Sequence, residues 1–184
     1  MKFKVPIKYR SLCFTFCVMF FISCSNRKEN HIPPSTDEKN DKKETMMEVN
    51  KYLVKKDSEI IESYVERLGW DMNETASGLW YEIYHKGSGR KANSGMEATI
   101  SYTIKLLDGT LCYEVTSENP KTFLIGQGGV ESGLEEGILL LQEGDKARFI
   151  MPPHLAHGLI GDDDKIPSRA TIIYDLTLIS LSEK

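Results

Sequence analysis

The sequence predicts an α+β domain: a curved antiparallel sheet wrapped around one short helix, preceded by an N-terminal helix and a disordered tether. Three observations carry this. From Leu79 onward, apolar residues alternate with polar ones in several separate runs, the period of strands with one face in a core. Within that half only VESGLEEGILLLQEGD, residues 130–145, reads as a helix. Ahead of both lies a long polar stretch with too few large apolar residues to fold alone.

The chain opens with MKFKVPIKYR, which carries Lys2, Lys4, Lys8 and Arg10 and no acid. An apolar run, SLCFTFCVMFFIS, and then Cys24 follow. A basic start, an apolar run shorter than the roughly 20 residues of a membrane span and a small residue before a cut make a secretory signal over residues 1–23. FISC matches a bacterial lipoprotein signal, with Cys24 as the lipidated first residue. Ser25 in place of aspartate fits sorting to the outer membrane, so the expected location is the cell envelope, by a lipid anchor. Of the four cysteines, Cys13 and Cys17 lie in the signal and Cys24 takes the lipid. Cys112 alone remains, and the mature domain must be held by its core rather than by a disulfide.

Over its 184 residues the chain carries 23 Lys+Arg and 27 Asp+Glu. Removal of residues 1–23 takes four basic residues and no acidic ones, which leaves 19 against 27, a formal charge of −8. A chain so acidic, without a basic stripe among aromatics, does not suit nucleic acid.

Residues 24–45 read as a solvated tether, with a reach of roughly 25 Å. Residues 46–78 form an N-terminal helical segment. Asp57 or Ser58 is positioned to cap its second half, in which Ile60, Ile61, Tyr64, Val65 and Leu68 recur at helical spacing, and Gly69 ends it. Trp70 and Trp80 are expected to join this helix to the sheet. Its exposed face mixes charges and suits water better than an anionic membrane.

Residues 79–184 form the main domain. Leu79, Tyr81 and Ile83 alternate with Trp80, Glu82 and Tyr84; Ile100, Tyr102, Ile104 and Leu106 alternate with Ser101, Thr103 and Lys105. The DGT at 108–110 turns the chain into LCYEV as a hairpin. Phe123–Ile125 is a short apolar piece before GQGG. Gly133 and Gly137, four apart, strip one face of the short helix so that it can approach a sheet closely. KARFIM and RATIIYDLTLISL are the last strands, the second with Ile172, Tyr174, Leu176 and Leu178 on one face.

Between those strands lies MPPHLAHGLIGDDDKIP, residues 151–167. Two histidines and three aspartates suggest a divalent metal site. The prolines and Gly158 make a regular helix there unfavourable, and the preferred reading is a polar loop with Asp162–Asp164 in a water-facing turn.

The motifs SYTIKLLDGT, FLIGQGGVESGLEEGILLLQEGDKARFIMPP, LAHG and IPSRATIIYDLTLISL, in that order, resemble an FKBP-type peptidyl-prolyl cis-trans isomerase domain over residues 94–183. The whole chain resembles the FKBP lipoproteins of Bacteroidetes, some associated with gliding motility. The resemblance implies a peptide-binding pocket formed by Tyr102, Tyr113, Phe123, Val130, Glu131, Leu134, His157, Ile166 and Tyr174, with no cofactor and no metal. In the family a backbone N–H at the position of Glu131 holds the ligand carbonyl. Several positions depart from the family pattern. The pocket floor, a tryptophan in the family, is Leu134. A tyrosine hydroxyl of the overhanging loop is replaced by His157, the Phe-Asp pair of the hairpin reads Cys112-Tyr113, and an aromatic wall position aligns with Lys121.

Such a domain would isomerise X-Pro bonds in exported, proline-containing client polypeptides, slowly because of these departures. The competing readings are an FKBP-fold binding or chaperone module with weak or no catalysis, and an accessory lipoprotein of an envelope or gliding machine.

Overall fold

The computed structural model describes residues 36–183, with side chains from residue 41. The residues read as a signal, Cys24 and the stretch read as tether up to residue 35 lie outside the described residues. Among the described residues no helix is long and apolar enough to cross a membrane.

The first helix, α1, spans Thr36–Leu68. It begins ten residues before the stretch in which the sequence shows a helical apolar pattern, inside the segment read as tether. Residues 36–45, TDEKNDKKET, lack an apolar stripe but include Lys and Glu, which favour helix by intrinsic propensity. Gly69, at φ +65°, ends α1 in the left-handed conformation that a side chain disfavours. Neither Asp57 nor Ser58 caps anything, because α1 runs through both without a break. Their side chains reach instead to Arg169 and Glu74. From Glu44 onward the helix belongs to the same compact unit as the sheet, Glu44–Lys184.

Seven strands follow: β1 Asn73–Glu74, β2 Trp80–His85, β3 Met96–Leu106, β4 Leu111–Val115, β5 Lys121–Leu124, β6 Lys146–Met151 and β7 Ile172–Glu183. They form one antiparallel sheet in the order β1-β2-β6-β7-β3-β4, and β5 pairs with β3. The long β3 serves two partners. Its second half, Tyr102–Lys105, pairs with β4, and its first half, Glu97–Ile100, pairs with β5. The two-residue β1 lies where the sequence has no alternating apolar run.

The short helix α2, Ser132–Ile138, lies against the concave side of the sheet. Its glycines permit that approach. A Cβ on Gly137 would stand 2.6 Å from the Phe149 ring, and one on Gly133 would stand 2.9 Å from Met151. Along β3 the buried residues are Ala98, Ile100, Tyr102 and Ile104, and β7 buries Ile172, Tyr174, Leu176 and Leu178, so the alternation sends one face of each strand into the main core. A second, smaller core covers the outer face. There Ile61 and Val65 of α1 meet Ile150 and Ile173, with Tyr64, Trp70 and Trp80 around them. The Arg148 guanidinium stacks 3.9 Å from the Trp70 ring centroid and pairs with Glu82 and Asp175. The two tryptophans therefore join helix to sheet, whereas Ile60 and Leu68 remain exposed.

Carboxylates organise the turns. Asp145, almost fully buried, accepts from the Gly87 and Gln142 amides at 2.7 and 2.9 Å. Glu135 of α2 accepts from the amides of Gly126 and Gly128, which ties the glycine loop before α2 to the helix.

Candidate functional site

The nine positions singled out by the resemblance divide into two sets. Tyr102, Phe123, Leu134, Ile166 and Tyr174 are buried, and belong to the main core. Tyr113, Val130, Glu131 and His157 are half-buried, the last three beside one another at the surface. An open cleft of about 390 Å³ lies there, lined by Lys121, Gly129, Val130, Glu131, Ala156 and His157. The five that the resemblance places in an apolar bowl thus pack into the main core, and none of them lines this cleft. Tyr102 and Tyr174 pack ring on ring, with centroids 5.1 Å apart and planes tilted by 48°.

Glu131 closes the bowl. It stands at the N-cap of α2 with extended backbone, but its side chain makes no capping hydrogen bond. Its Oε1 instead accepts from the Tyr174 hydroxyl at 3.0 Å and lies 3.0 Å from His157 Nε2. The histidine contact is close but not aligned as a hydrogen bond, and Glu131 Oε2 is buried without a partner. Among the described residues the Glu131 N–H has no backbone acceptor. Burial, the carboxylate and Tyr102 push the Tyr174 hydroxyl far above the ordinary tyrosine range. Burial and then Glu131 raise Tyr102 as well. Both rings therefore keep their hydroxyl protons throughout the physiological range.

The overhanging loop, residues 152–171, joins β6 to β7. It starts with a 3₁₀ turn, Pro153–Leu155, and His154 Nε2 lies 2.9 Å from the Ser77 carbonyl. Asp162 is the organising residue. Its carboxylate accepts from the Tyr113 hydroxyl at 2.5 Å and from the amides of Ile166 and Asp164 at 2.8 and 3.0 Å. Burial opposes its ionisation, but these donors and the nearby His157 bring its pKa to about 2. The three aspartates are thus not a freely solvated turn. Asp162 faces inward and fixes the loop, while Asp163 and Asp164 are exposed. Among the described residues no three His, Cys, Asp or Glu side chains gather as a metal site would need.

Tyr113 takes a role that the aligned positions did not reveal. Its hydroxyl fastens the loop, and Lys165 Nζ stands 4.9 Å from the ring centroid. Cys112 is buried beneath the same loop, near the Lys165 carbonyl. Burial and then Asp162 raise its thiol, so it stays protonated and unreactive. The Glu131 side chain was also missed, because only its backbone was assigned a role. An acid next to an apolar helix start was the available signal.

Fold and site together define the class. Residues 88–179, half of the chain, match the family model described as FKBP-type peptidyl-prolyl cis-trans isomerase, and the chain belongs to that family. It is 38% identical over 109 residues to the Neisseria meningitidis protein described as "Probable FKBP-type peptidyl-prolyl cis-trans isomerase FkpA"; the match covers 58% of this chain and 39% of that one. It is 33% identical over 107 residues to an FK506-binding protein of the same organism, covering 58% of this chain and 98% of that one. The crystal structure of AtFKBP13 superposes with a TM-score of 0.57 at 28% identity, over 60% of this chain and 98% of that one. A peptidyl-prolyl cis-trans isomerase structure from Pseudomonas syringae shares the fold, with a TM-score of 0.61 at 22% identity, over 72% of this chain and 96% of that one. Against the larger relatives the chain spans about two fifths of the length or less.

Proposed function

We propose that this chain catalyses cis-trans isomerisation of X-Pro bonds in exported polypeptides, slowly, from a lipid anchor at Cys24 in the outer membrane. We further propose that it is a lipoprotein of the gliding-associated Bacteroidetes type. Family membership and the free N–H of Glu131 at the cleft support the first part; the sequence of the first 25 residues supports the second.

The reaction needs no bond broken. Amide resonance imposes a barrier of about 20 kcal/mol on the X-Pro bond. A thousandfold acceleration requires about 4 kcal/mol of selective stabilisation of the twisted amide. That form is less charge-separated than the planar one, so apolar walls at Val130, Tyr102 and Ile166 favour it, while the Glu131 N–H and the His157 ring hold flanking carbonyls. A leucine in place of a flat aromatic floor, and a carboxylate at the rim, account for the slow rate.

One observation favours the binding-module reading: Leu134, fully buried, stands where the family has the flat aromatic floor of the pocket. The test is two-dimensional NMR exchange on a short X-Pro peptide with the purified full chain. Exchange above the uncatalysed rate that saturates with peptide supports catalysis; saturable binding without it supports the module. Mass spectrometry of the native envelope form tests the anchor: an intact, unacylated Met1 would sink it.

A further inference from the structure

Among the described residues, one ion pair ties the N-terminal helix to the overhanging loop. Arg169 Nη2 lies 3.0 Å from both Asp57 Oδ1 and Asp57 Oδ2, bridging 112 residues of sequence. Neither partner is freely solvated: 32% of the Arg169 side chain and 13% of the Asp57 side chain are exposed. Arg169 also holds a backbone conformation that its side chain disfavours, with φ +56°. A left-handed non-glycine residue persists only where the surroundings over-determine it, and here the ion pair is one of the constraints.

The backbone of Arg169 carries the constraint to the site. Its N–H donates to the Gly158 carbonyl at 3.1 Å, and the Gly158 N–H donates to the Pro153 carbonyl at 2.8 Å. Gly158 is bonded directly to His157, whose Nε2 stands 3.0 Å from Glu131 at the cleft. The tie thus runs from α1 through Arg169 and Gly158 to the residue that meets Glu131. Below the contact, Leu53 and Val54 of α1 face Pro153 and Leu159 of the loop across a largely apolar groove. At its far end α1 is seated on the sheet through Ile61 and Val65. The helix therefore has a fixed base from which to hold the loop.

We propose that Asp57 and Arg169 are positioning residues for the isomerase reaction, by which α1 holds the loop 153–170 over the cleft with His157 against Glu131. The inference rests on the isomerase reading for its catalytic consequence, but the tie itself does not. Because the pair touches no substrate, its loss should loosen binding in the ground and transition states alike, which raises KM and leaves kcat nearly unchanged.

The experiment compares the full chain with Asp57→Asn and with the double variant Asp57→Arg, Arg169→Asp. The exchanged pair keeps opposite charges, and aspartate tolerates a positive φ better than most residues. Amide hydrogen exchange reads the loop at Gly158 and Arg169, and X-Pro exchange by NMR reads KM and kcat. The expected result for Asp57→Asn is faster hydrogen exchange at both amides and a KM raised three- to tenfold, with kcat within twofold. The double variant should recover at least half of each change. Unchanged amide exchange in Asp57→Asn overturns the tie. Faster amide exchange with an unchanged KM overturns the positioning role. A wild-type chain that does not catalyse at all removes the isomerase reading and the catalytic part of this inference with it, while the amide data still decide whether α1 holds the loop.

Discussion

The Tyr113 hydroxyl and the Asp162 carboxylate, 49 residues apart, meet at 2.5 Å and join the β3–β4 hairpin to the loop over the cleft. Neither residue does there what its type suggested. The tyrosine is a strap and not only an aromatic wall, and the aspartate is an acceptor for three donors rather than a water-facing turn residue. The same bond also raises the Tyr113 hydroxyl well above the ordinary tyrosine range, first through the hydrogen bond itself and then through burial.

This relationship sets an acid dependence. Asp162 titrates at about 2 in the folded chain, against about 3.9 for an unstructured aspartate. A depressed folded pKa means stability that is fully present above about pH 4 and lost as pH falls toward about 2. Melting temperature measured between pH 5 and pH 2 should fall less steeply in Asp162→Asn than in wild type, from a lower starting value. Parallel curves would show that Asp162 contributes nothing to the acid response.

Tyr174 and Glu131 form the second strap. Tyr174→Phe removes the donor and leaves Glu131 Oε1 with only the unaligned contact to His157. Loss of a buried donor to a carboxylate costs about 1–3 kcal/mol. Tyr174→Ala adds a cavity in the core and should cost about 3–5 kcal/mol, the range for large aromatic truncation. Urea unfolding midpoints distinguish the two, and a difference between the variants below 1 kcal/mol would mean that the site collapses around the deletion.

Packing of α2 on the sheet gives a ranked pair. Gly137→Ala drives a methyl group to 2.6 Å from the Phe149 ring, whereas Gly133→Ala meets the Met151 side chain at 2.9 Å and the Leu155 carbonyl at 3.1 Å. A phenyl ring has little freedom to give way; a thioether has three rotatable bonds. Gly137→Ala should therefore cost about 1–3 kcal/mol and Gly133→Ala less, by denaturant unfolding. The reverse order would mean that the backbone of α2, not the side chains of β6, takes up the strain.

What the sequence made legible follows from how far apart the partners lie. Alternation along Ile100–Leu106 and Ile172–Leu178 is local, and it located β3, β7 and the core face of each. The Gly133–Gly137 spacing is local too, and it announced a close approach whose distances the structure supplies. The structure begins α1 at Thr36, ahead of the apolar pattern that starts at Met46, because residues 36–45 have helix-favouring residues but no apolar stripe, and a stripe is what distinguishes a packed helix from a polar tether. The straps were out of reach: Tyr113 with Asp162, Tyr174 with Glu131 and Asp57 with Arg169 join residues 43 to 112 positions apart. No local pattern marks such pairs. Their residue types fit many roles, and only the folded arrangement of helix, loop and sheet brings them together. The burial of Tyr102 and Tyr174 followed from the same alternation, but the contact of their two rings did not, because it depends on how β3 and β7 pair.

Leu134 is where the isomerase and binding readings part. It has no exposed surface and sits among the core residues between α2 and the sheet. Leu134→Trp puts an indole where a leucine fills its space, so overpacking should lower stability by about 1–3 kcal/mol. The same substitution supplies a flat, apolar face beneath the bowl, against which a proline ring can stack. If catalysis arises from a dry pocket that favours the twisted amide, kcat/KM on an X-Pro peptide should rise by several-fold even as the unfolding midpoint falls. Cys112→Ala serves as a control, since no thiolate takes part: its rate should stay within twofold of wild type. The measurement is NMR exchange on the folded variants, with circular dichroism to establish that each is folded. Should wild type and Leu134→Trp both be folded and both leave the peptide at its uncatalysed rate, catalysis is not what this pocket does, and saturable binding of the same peptide becomes the function to measure.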